Sequence, residues 1–435
     1  MIKSQIMRNS VDSQAILEDY RWLVSLDGAQ WLARAASLAG KDASLVTLAA
    51  TLRQKLPAPR VHLLLEQLEL RPKAKEKFPL AAQMFFIPLA LEQATDWWVA
   101  AYKASRFPQD QPLADLCCGI GGDSLALAQR GNVRGVDRNP VAVILAEANV
   151  AAVLGTGDSC SKAAVTFDVK EVAEAGVLSN VVAWHIDPDR RSTGRRTTNV
   201  ELHDPGPAVL TRMLSACPHA AIKLAPAADL TESWWREAEL EWIGRGRQCR
   251  QLVAWFGSLA LHPGRRRATV VKSSAIAGGN AAPPILEQAA ATFIGEPNLE
   301  CPLAPQIGRY VFEPDAAILG AKLEGALTAE YEIMRITPGV AYFTADTLIN
   351  SPLLDCFEVQ EVLPYCVKPL RQWLTRRSIG RLEVKKRGVP LDPEKVRSEL
   401  LAGQNGDDEI TLLLARVQGH ITAILAKRSG VISSQ

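Results

Sequence analysis

Residues 115–124, DLCCGIGGDS, constrain this 435-residue chain more than any other stretch, because three glycines fall where a short apolar run gives way to a helical pattern. Glycine has no Cβ, so Gly119, Gly121 and Gly122 let the backbone bend sharply and approach a ligand at a helix N-terminus. A bend of this kind commits its surroundings to a strand–helix unit. Two acids give it chemistry: Asp115 ends the first strand, four residues before the first glycine, and Asp137 ends the next strand 22 residues later. A carboxylate at the second position accepts both ribose hydroxyls of an adenosine-type cofactor. Asp115 attracts an ammonium or sulfonium and repels a pyrophosphate, and Ser124 stands where a dinucleotide pattern has its third glycine. The expected cofactor is therefore S-adenosylmethionine (SAM) rather than NAD. Its expected binding residues are Asp115, Cys117, Gly119, Gly121, Gly122, Asp123, Asp137 and Arg138.

The rest of the chain fits around that unit. From about Asp12 to Ser105, apolar residues recur every three or four positions between several prolines, which predicts a region of short helices. After Pro112, short apolar runs alternate with helical stretches, as in a doubly wound parallel sheet. The predicted strands are Leu113–Cys118, Val133–Asp137, Ala164–Asp168, Val181–Asp187 and Ala220–Leu224, with helices over Asp123–Arg130 and Pro140–Leu154. Gln251–Leu259 and Ala268–Lys272, joined by HPGRRR, are expected to pair antiparallel, since the connection has no room for a crossover helix. A parallel sheet ending in an antiparallel pair is the Rossmann-like class I methyltransferase plan. The expected α/β organisation is a helical region over 1–105, the cofactor domain over 106–275, linker and short mixed structure over 276–335, and a small α+β domain over 336–435 that ends in a hairpin.

The fourth strand ends in HIDPDRR, at the sheet edge that faces substrate in open sheets of this class. Asp187 is the candidate catalytic residue, able to accept a hydrogen bond from an attacking nitrogen or oxygen, with Pro188 fixing the backbone after it. Arg190, Arg191, Arg195 and Arg196 follow as candidate substrate contacts, and no aromatic follows Pro188 to stack on a base. Asp168 ends the third strand as either an adenine acceptor or an N-cap before KEVAEA. His185 is taken as a core imidazole, Lys223 as an unusual buried lysine able to reach an acid, and Cys217 as an ordinary thiol.

A net charge of +2 implies little by itself, but basic residues cluster over 371–387, where Arg377, Lys385, Lys386 and Arg387 are candidate contacts to a phosphate backbone. The eight cysteines show no CxxC spacing, so no metal is expected. With no long apolar run, neither export nor membrane insertion is expected, and the cytoplasm is the expected compartment.

DLCCGIGGDS, VDRNP, IDPDRR and IKLAP, followed by RYVFEPDAAIL, FEVQEVLPY and IGRLEVKKRGV, together resemble the bacterial class I methyltransferases that carry a C-terminal THUMP-like domain. The resemblance spans nearly the whole chain, including ALEQAT at 90–95, and implies a SAM-dependent enzyme that acts on RNA. That family's usual fourth-strand motif is DPARR; Asp189 replaces the alanine here, which weakens the expected phosphate role of the neighbouring arginines. The alternatives at this level are a non-catalytic SAM-binding RNA-binding or assembly protein, a methyltransferase of small molecules or proteins, and an NAD-linked oxidoreductase.

Overall fold

A computed structural model describes residues 14–39, 44–155, 163–190, 197–228, 230, 232–272, 290–403 and 406–429. Two compact units divide it, one comprising 1–238, 253–263 and 271–290, the other 239–252, 264–270 and 291–435.

The first unit opens with six helices: α1 (14–24), α2 (Leu26–Ala39), α3 (Leu45–Arg53), α4 (Ala58–Ala74), α5 (Pro88–Gln93) and α6 (Trp97–Ala104). Their starts are local chemistry: Ser44 caps α3, Asp96 caps α6, and proline occupies the first turn of α4 and α5, where a missing N–H leaves nothing unsatisfied. The parallel strands follow as β1 (Leu113–Leu116), β2 (Val133–Asp137), β3 (Val165–Val169), β4 (Ala183–Ile186) and β5 (Ala220–Leu224), with α7 (Gly122–Leu127) after β1, α8 (Pro140–Leu154) after β2 and α9 (Pro207–Ala216) before β5. The KEVAEA stretch is not a helix but a series of turns.

Helices and sheet share one interior. Leu23, Leu48, Leu64, Phe78 and Phe86 of the helical region pack in the same cluster as Ile120 of the glycine bend, Leu125 of α7 and Leu145 of α8. Fully burying each such side chain contributes roughly 1.5–3 kcal/mol, so the described helices before β1 share the core of the cofactor unit rather than standing apart from it.

Beyond β5 come α10 (Glu232–Glu237), β6 (Glu239–Arg245), β7 (Gln248–Phe256), β8 (Arg266–Val271) and β9 (Ala290–Gly295). The order in the first unit is β3-β2-β1-β4-β5-β7, and in the second β7-β6-β8-β9, β7 contributing residues to each. This corrects the expected pairing of β7 with β8. A strand absent from the sequence reading, β6, lies between them and runs parallel to β8. β6 and β7 are joined only by Gly246 and Arg247, both at positive φ (59° and 63°), the geometry of a tight antiparallel hairpin.

The second unit also holds a seven-stranded sheet that begins well before 336. It contains β10 (Tyr310–Pro314), β11 (Met334–Arg335), β12 (Phe343–Ala345), β13 (Leu354–Pro364), β14 (Ile379–Arg387), β15 (Asp408–Val417) and β16 (His420–Ser429), in the order β11-β12-β10-β13-β16-β15-β14. Its helices are α11 (Ala316–Ala321), α12 (Glu324–Tyr331), α13 (Val367–Arg376) and α14 (Pro393–Leu401). The short mixed structure expected before 336 thus includes an inner strand of this sheet, β10, while the expected linker over 276–289 lies outside the described residues. β15 and β16 form the expected closing hairpin. In β15, Leu412 and Leu414 pack with Leu370, Trp373 and Leu374 of α13, while Leu413 and Ala415 face a second cluster around Tyr342 and Phe357. Burial on both faces explains why this strand is a continuous apolar run.

Candidate functional site

The glycine bend forms one wall of a cleft of about 390 Å³ beyond the carboxyl ends of β1, β2 and β4, entirely within the first unit. Cys117 and Gly119 sit at positive φ (52° and 55°), which turns the chain out of β1. A Cβ on Gly119 would meet nothing within 4 Å, so its backbone faces open space, and its N–H donates to Asp137 Oδ2 at 2.9 Å. Gly121 serves another purpose: a Cβ there would lie 3.2 Å from Ala146 Cβ, so this glycine admits α8 rather than a ligand, and it does not line the cleft.

A chain of buried charges runs beneath the bend. Asp115 lies in register with His185 on the adjacent parallel strand β4, which brings His185 Nδ1 to 2.8 Å from Asp115 Oδ1, while Ser124 Oγ donates to Asp115 Oδ2 at 2.5 Å. His185 Nε2 meets Lys103 Nζ of α6 at 2.9 Å, and Lys103 is paired with Asp123 Oδ1 at 2.7 Å. Asp123 Oδ2 also accepts from Thr95 Oγ1 at 2.7 Å. Burial pushes the Asp123 carboxyl upward, but Lys103, His185 and Lys223 outweigh it and hold the group far below the usual carboxylate range. Asp115, only 1% exposed, therefore acts on the cleft through its field, as part of this network, and Asp123 is committed to Lys103 and Thr95 rather than free for a cofactor.

Asp137 stands nearer the opening. Asn139 N donates to Oδ1 at 2.8 Å and Gly119 N to Oδ2 at 2.9 Å; burial raises its pKa, opposed by these two N–H donors. At the end of β4, Asp187 Oδ2 is held by Lys223 Nζ at 2.5 Å, and Lys223 also donates to Gln93 O at 3.0 Å. Cys117 lines the cleft, with its thiol pushed well up by burial and by Asp137, Asp187 and Asp115, which disfavours the thiolate that a nucleophile needs. Cys217 is no nucleophile for this cleft either, because it caps α9 and touches Val181 and Val182 at the opposite, amino end of β4.

Further placements bear on the sequence reading. Asp168 does not line the cleft; its carboxylate is taken by Arg134 Nε at 2.7 Å, and Lys170, Glu171 and Val172 occupy the rim instead. Arg138 lines the cleft but is bound by Asp204 and, at 3.4 Å, by Asp189. Asp189 thus opposes Arg138, in a segment where Asp189 and Asp204 exchange backbone hydrogen bonds at 2.8 and 3.0 Å. Pro188 and Arg190 line the cleft, whereas Arg191, Arg195 and Arg196 lie outside the described residues. Among the described residues, seven carboxylates and three lysine or arginine side chains line the cleft, a field that favours a cationic ligand over a pyrophosphate.

The sequence reading missed Lys103, Thr95, Gln93 and His203. Lys103 carried a signal, a lone cation inside the apolar helix WWVAAYKA. His203, 5% exposed, is held below its usual pKa by burial, and its Nε2 has no partner among the described residues.

In the second unit the basic cluster is partly consumed. Lys385 and Arg387 pair with Glu313 at 2.7 and 3.0 Å, which leaves less of their charge for a phosphate. Arg377 stacks over Trp373 at 4.0 Å but remains exposed, as do Lys368, Arg376, Arg381 and Lys386. Among the described residues no group of side chains could hold a metal ion, and no helix is long and apolar enough to cross a membrane.

The sheet order, the glycine bend and the acid-lined cleft define a class I methyltransferase fold. A structure of a candidate methyltransferase from Porphyromonas gingivalis W83 shares that fold over 96% of this chain and 99% of its own, with a TM-score of 0.70 and 20% identity. Two Mycobacterium tuberculosis proteins, from strains CDC 1551 / Oshkosh and H37Rv, are each described as an uncharacterized S-adenosylmethionine-dependent methyltransferase. Each is 30% identical over 355 residues, covering 80% of this chain and 90% of its own. A THUMP domain-like family matches residues 354–428, and a domain of unknown function matches 15–74. The chain belongs to this family of SAM-dependent methyltransferases.

Proposed function

We propose that this enzyme methylates a nitrogen of a base in RNA. The observation that carries the reading is the placement of Asp187 in the same cleft as Asp137, one oxygen clamped by Lys223 and the other without that lysine bond. SAM, when bound, supplies a methyl group on a positively charged sulfur. The residues suit it: Asp137 is available to the ribose hydroxyls, the open face of Gly119 allows close approach, and the acidic lining offsets the positive charge.

Asp187 accepts a hydrogen bond from the acceptor N–H and so aims the nitrogen lone pair at the methyl. Alignment of this kind is the main catalytic contribution available to the chain, since displacement at carbon needs little else. As the new N–C bond forms, the acceptor's proton leaves toward the Asp187 carboxylate. Lys223 fixes the orientation of that carboxylate, and Pro188 fixes the backbone behind it.

The RNA assignment is supported by the THUMP domain-like match and by the exposed Lys368, Arg376, Arg377 and Lys386 of that region, which suit a phosphate backbone. Arg190 is a further contact on the cleft side, and the cytoplasm is the compartment that fits such a substrate. Mass spectrometry of nucleosides from cells with and without the gene tests the reading. A methylated nucleoside that disappears with the gene and returns with the wild-type copy, but not with Asp187→Ala, supports it; an unchanged nucleoside profile refutes it.

A further inference from the structure

The stretch from Met84 to Thr95 is pinned at both ends, over 84–86 and 91–94, by side chains reaching in from elsewhere. Arg71 Nε donates to Met84 O at 2.9 Å. Asn149 of α8, fully buried, accepts from Phe85 N at 2.7 Å and donates to Phe85 O at 3.1 Å and to Ile120 O of the glycine bend at 3.0 Å. Gln67, also fully buried, clasps Phe86 through both N and O at 2.9 and 2.7 Å. The carbonyls at the end of α5, which a helix leaves without internal partners, are taken by two lysines. Lys77 Nζ donates to those of Leu91, Glu92 and Ala94 at 2.8, 2.8 and 3.0 Å, and Lys223 to that of Gln93.

So many anchors on a stretch of this length fix the face it turns to the cleft, where Ile87, Leu89, Ala90 and Gln93 form part of the lining. Leu89 is 49% exposed there, a large apolar side chain left uncovered, and the Gln93 carboxamide has no hydrogen-bond partner among the described residues. Position in the sheet assigns the wall to one end of the cleft. Asp137 ends β2 on one side of β1, whereas β4 and β5 lie on the other, and one ammonium on β5 holds both Gln93 O and Asp187. The Gln93 end of the wall therefore stands beside Asp187, away from the ribose acid, while its Phe85 end is tied to α8 and the glycine bend.

We propose that this wall is the acceptor-recognition surface, with Leu89 covering the flat face of a nucleobase and the Gln93 carboxamide reading its edge. A carboxamide offers one donor and one acceptor side by side, the complement of a base edge that presents an acceptor beside a donor. The inference rests on the RNA reading above.

The test compares wild type with Leu89→Ala and Gln93→Leu, both at sites open enough that the fold should hold, which matching thermal melts verify. Whole extract from cells lacking the gene, separated into RNA, protein and small-molecule fractions, serves as acceptor for methyl-labelled SAM, and SAM affinity is measured separately by calorimetry. The expected result is label in RNA, an initial rate at limiting extract at least tenfold lower in each variant, an effect mainly on KM for Leu89→Ala, and SAM affinity within twofold of wild type. Label entering another fraction refutes the RNA reading, and with it the nucleobase as occupant. Variants as fast as wild type on whichever fraction is labelled overturn the wall itself. So does a tenfold loss of SAM affinity, which would place the wall at the cofactor's own end, and so does absence of label from every fraction while SAM still binds.

Discussion

Replacing Lys103 by methionine removes the cation at the centre of the buried network while preserving most of its volume. The lysine side chain is 2% exposed and lies 2.7 Å from Asp123 and 2.9 Å from His185. Without it, Asp123 keeps the Thr95 hydroxyl at 2.7 Å and His185 Nε2 at 3.9 Å as its near partners but loses its directly bonded cation. Removing one partner of a buried ion pair costs about 3–5 kcal/mol, because the remaining charge is left uncompensated. In a unit of this size that lowers the melting temperature by roughly 6–20 °C. Adding Asp123→Asn removes the orphaned charge and keeps an acceptor for Thr95, so the double variant should return to within about 2 kcal/mol of wild type. Acid sharpens the comparison. The folded pKa of Asp123 is depressed below its ordinary 3.8, so in wild type the stabilisation is complete above that value and is lost as pH falls below it toward the folded value. In Lys103→Met the unpaired acid is relieved by protonation, so its deficit against the double variant should shrink as pH is lowered from 7 to 5. Urea titrations followed by tryptophan fluorescence measure all of these. A single-variant loss below about 1 kcal/mol, or a double variant worse than the single, refutes the network as described.

Gly121→Val should destabilise the fold through its clash with Ala146 and its left-handed backbone, while Gly119→Ala should leave stability nearer wild type and lower SAM affinity; melts and calorimetry separate the two. Asp187→Asn should bind SAM within about threefold of wild type and lose methyl transfer by at least about 100-fold, of the order expected for a positioned proton acceptor, as read by label incorporation. Because Lys385 and Arg387 are paired with Glu313, alanine at either should leave the salt dependence of RNA binding nearly unchanged. Alanine at Arg376 or Lys386 should each reduce the slope by about one, as measured by filter binding across salt.

The parallel strands and the cleft's acids were legible because each rests on local pattern: a glycine bend, apolar runs ending in Asp115, Asp137 and Asp187, and a proline opening α8. β6 escaped because ELEWIGR buries Glu239 and Glu241, whose charges hide a strand from hydropathy. The ion-pair partners of Asp168 and Lys385 were missed for a related reason. These partners, Arg134 and Glu313, are 34 and 72 residues away, and no local pattern records a pairing at such separation. The same holds for Lys103 and Gln93, whose roles arise only when a helical segment folds over the sheet edge. Charge clustering along the sequence therefore overstated the free basic surface, and a helical region that looked separable proved to share its core with the glycine bend.

Calorimetric titration of SAM and of NAD into wild type and Asp137→Ala tests most directly that the acid-lined cleft is the cofactor site. SAM should bind the wild-type protein and NAD should not, and Asp137→Ala should weaken SAM by about tenfold or more, the value of hydrogen bonds to a charged group. Binding of NAD, or SAM affinity indifferent to Asp137, would contradict the account.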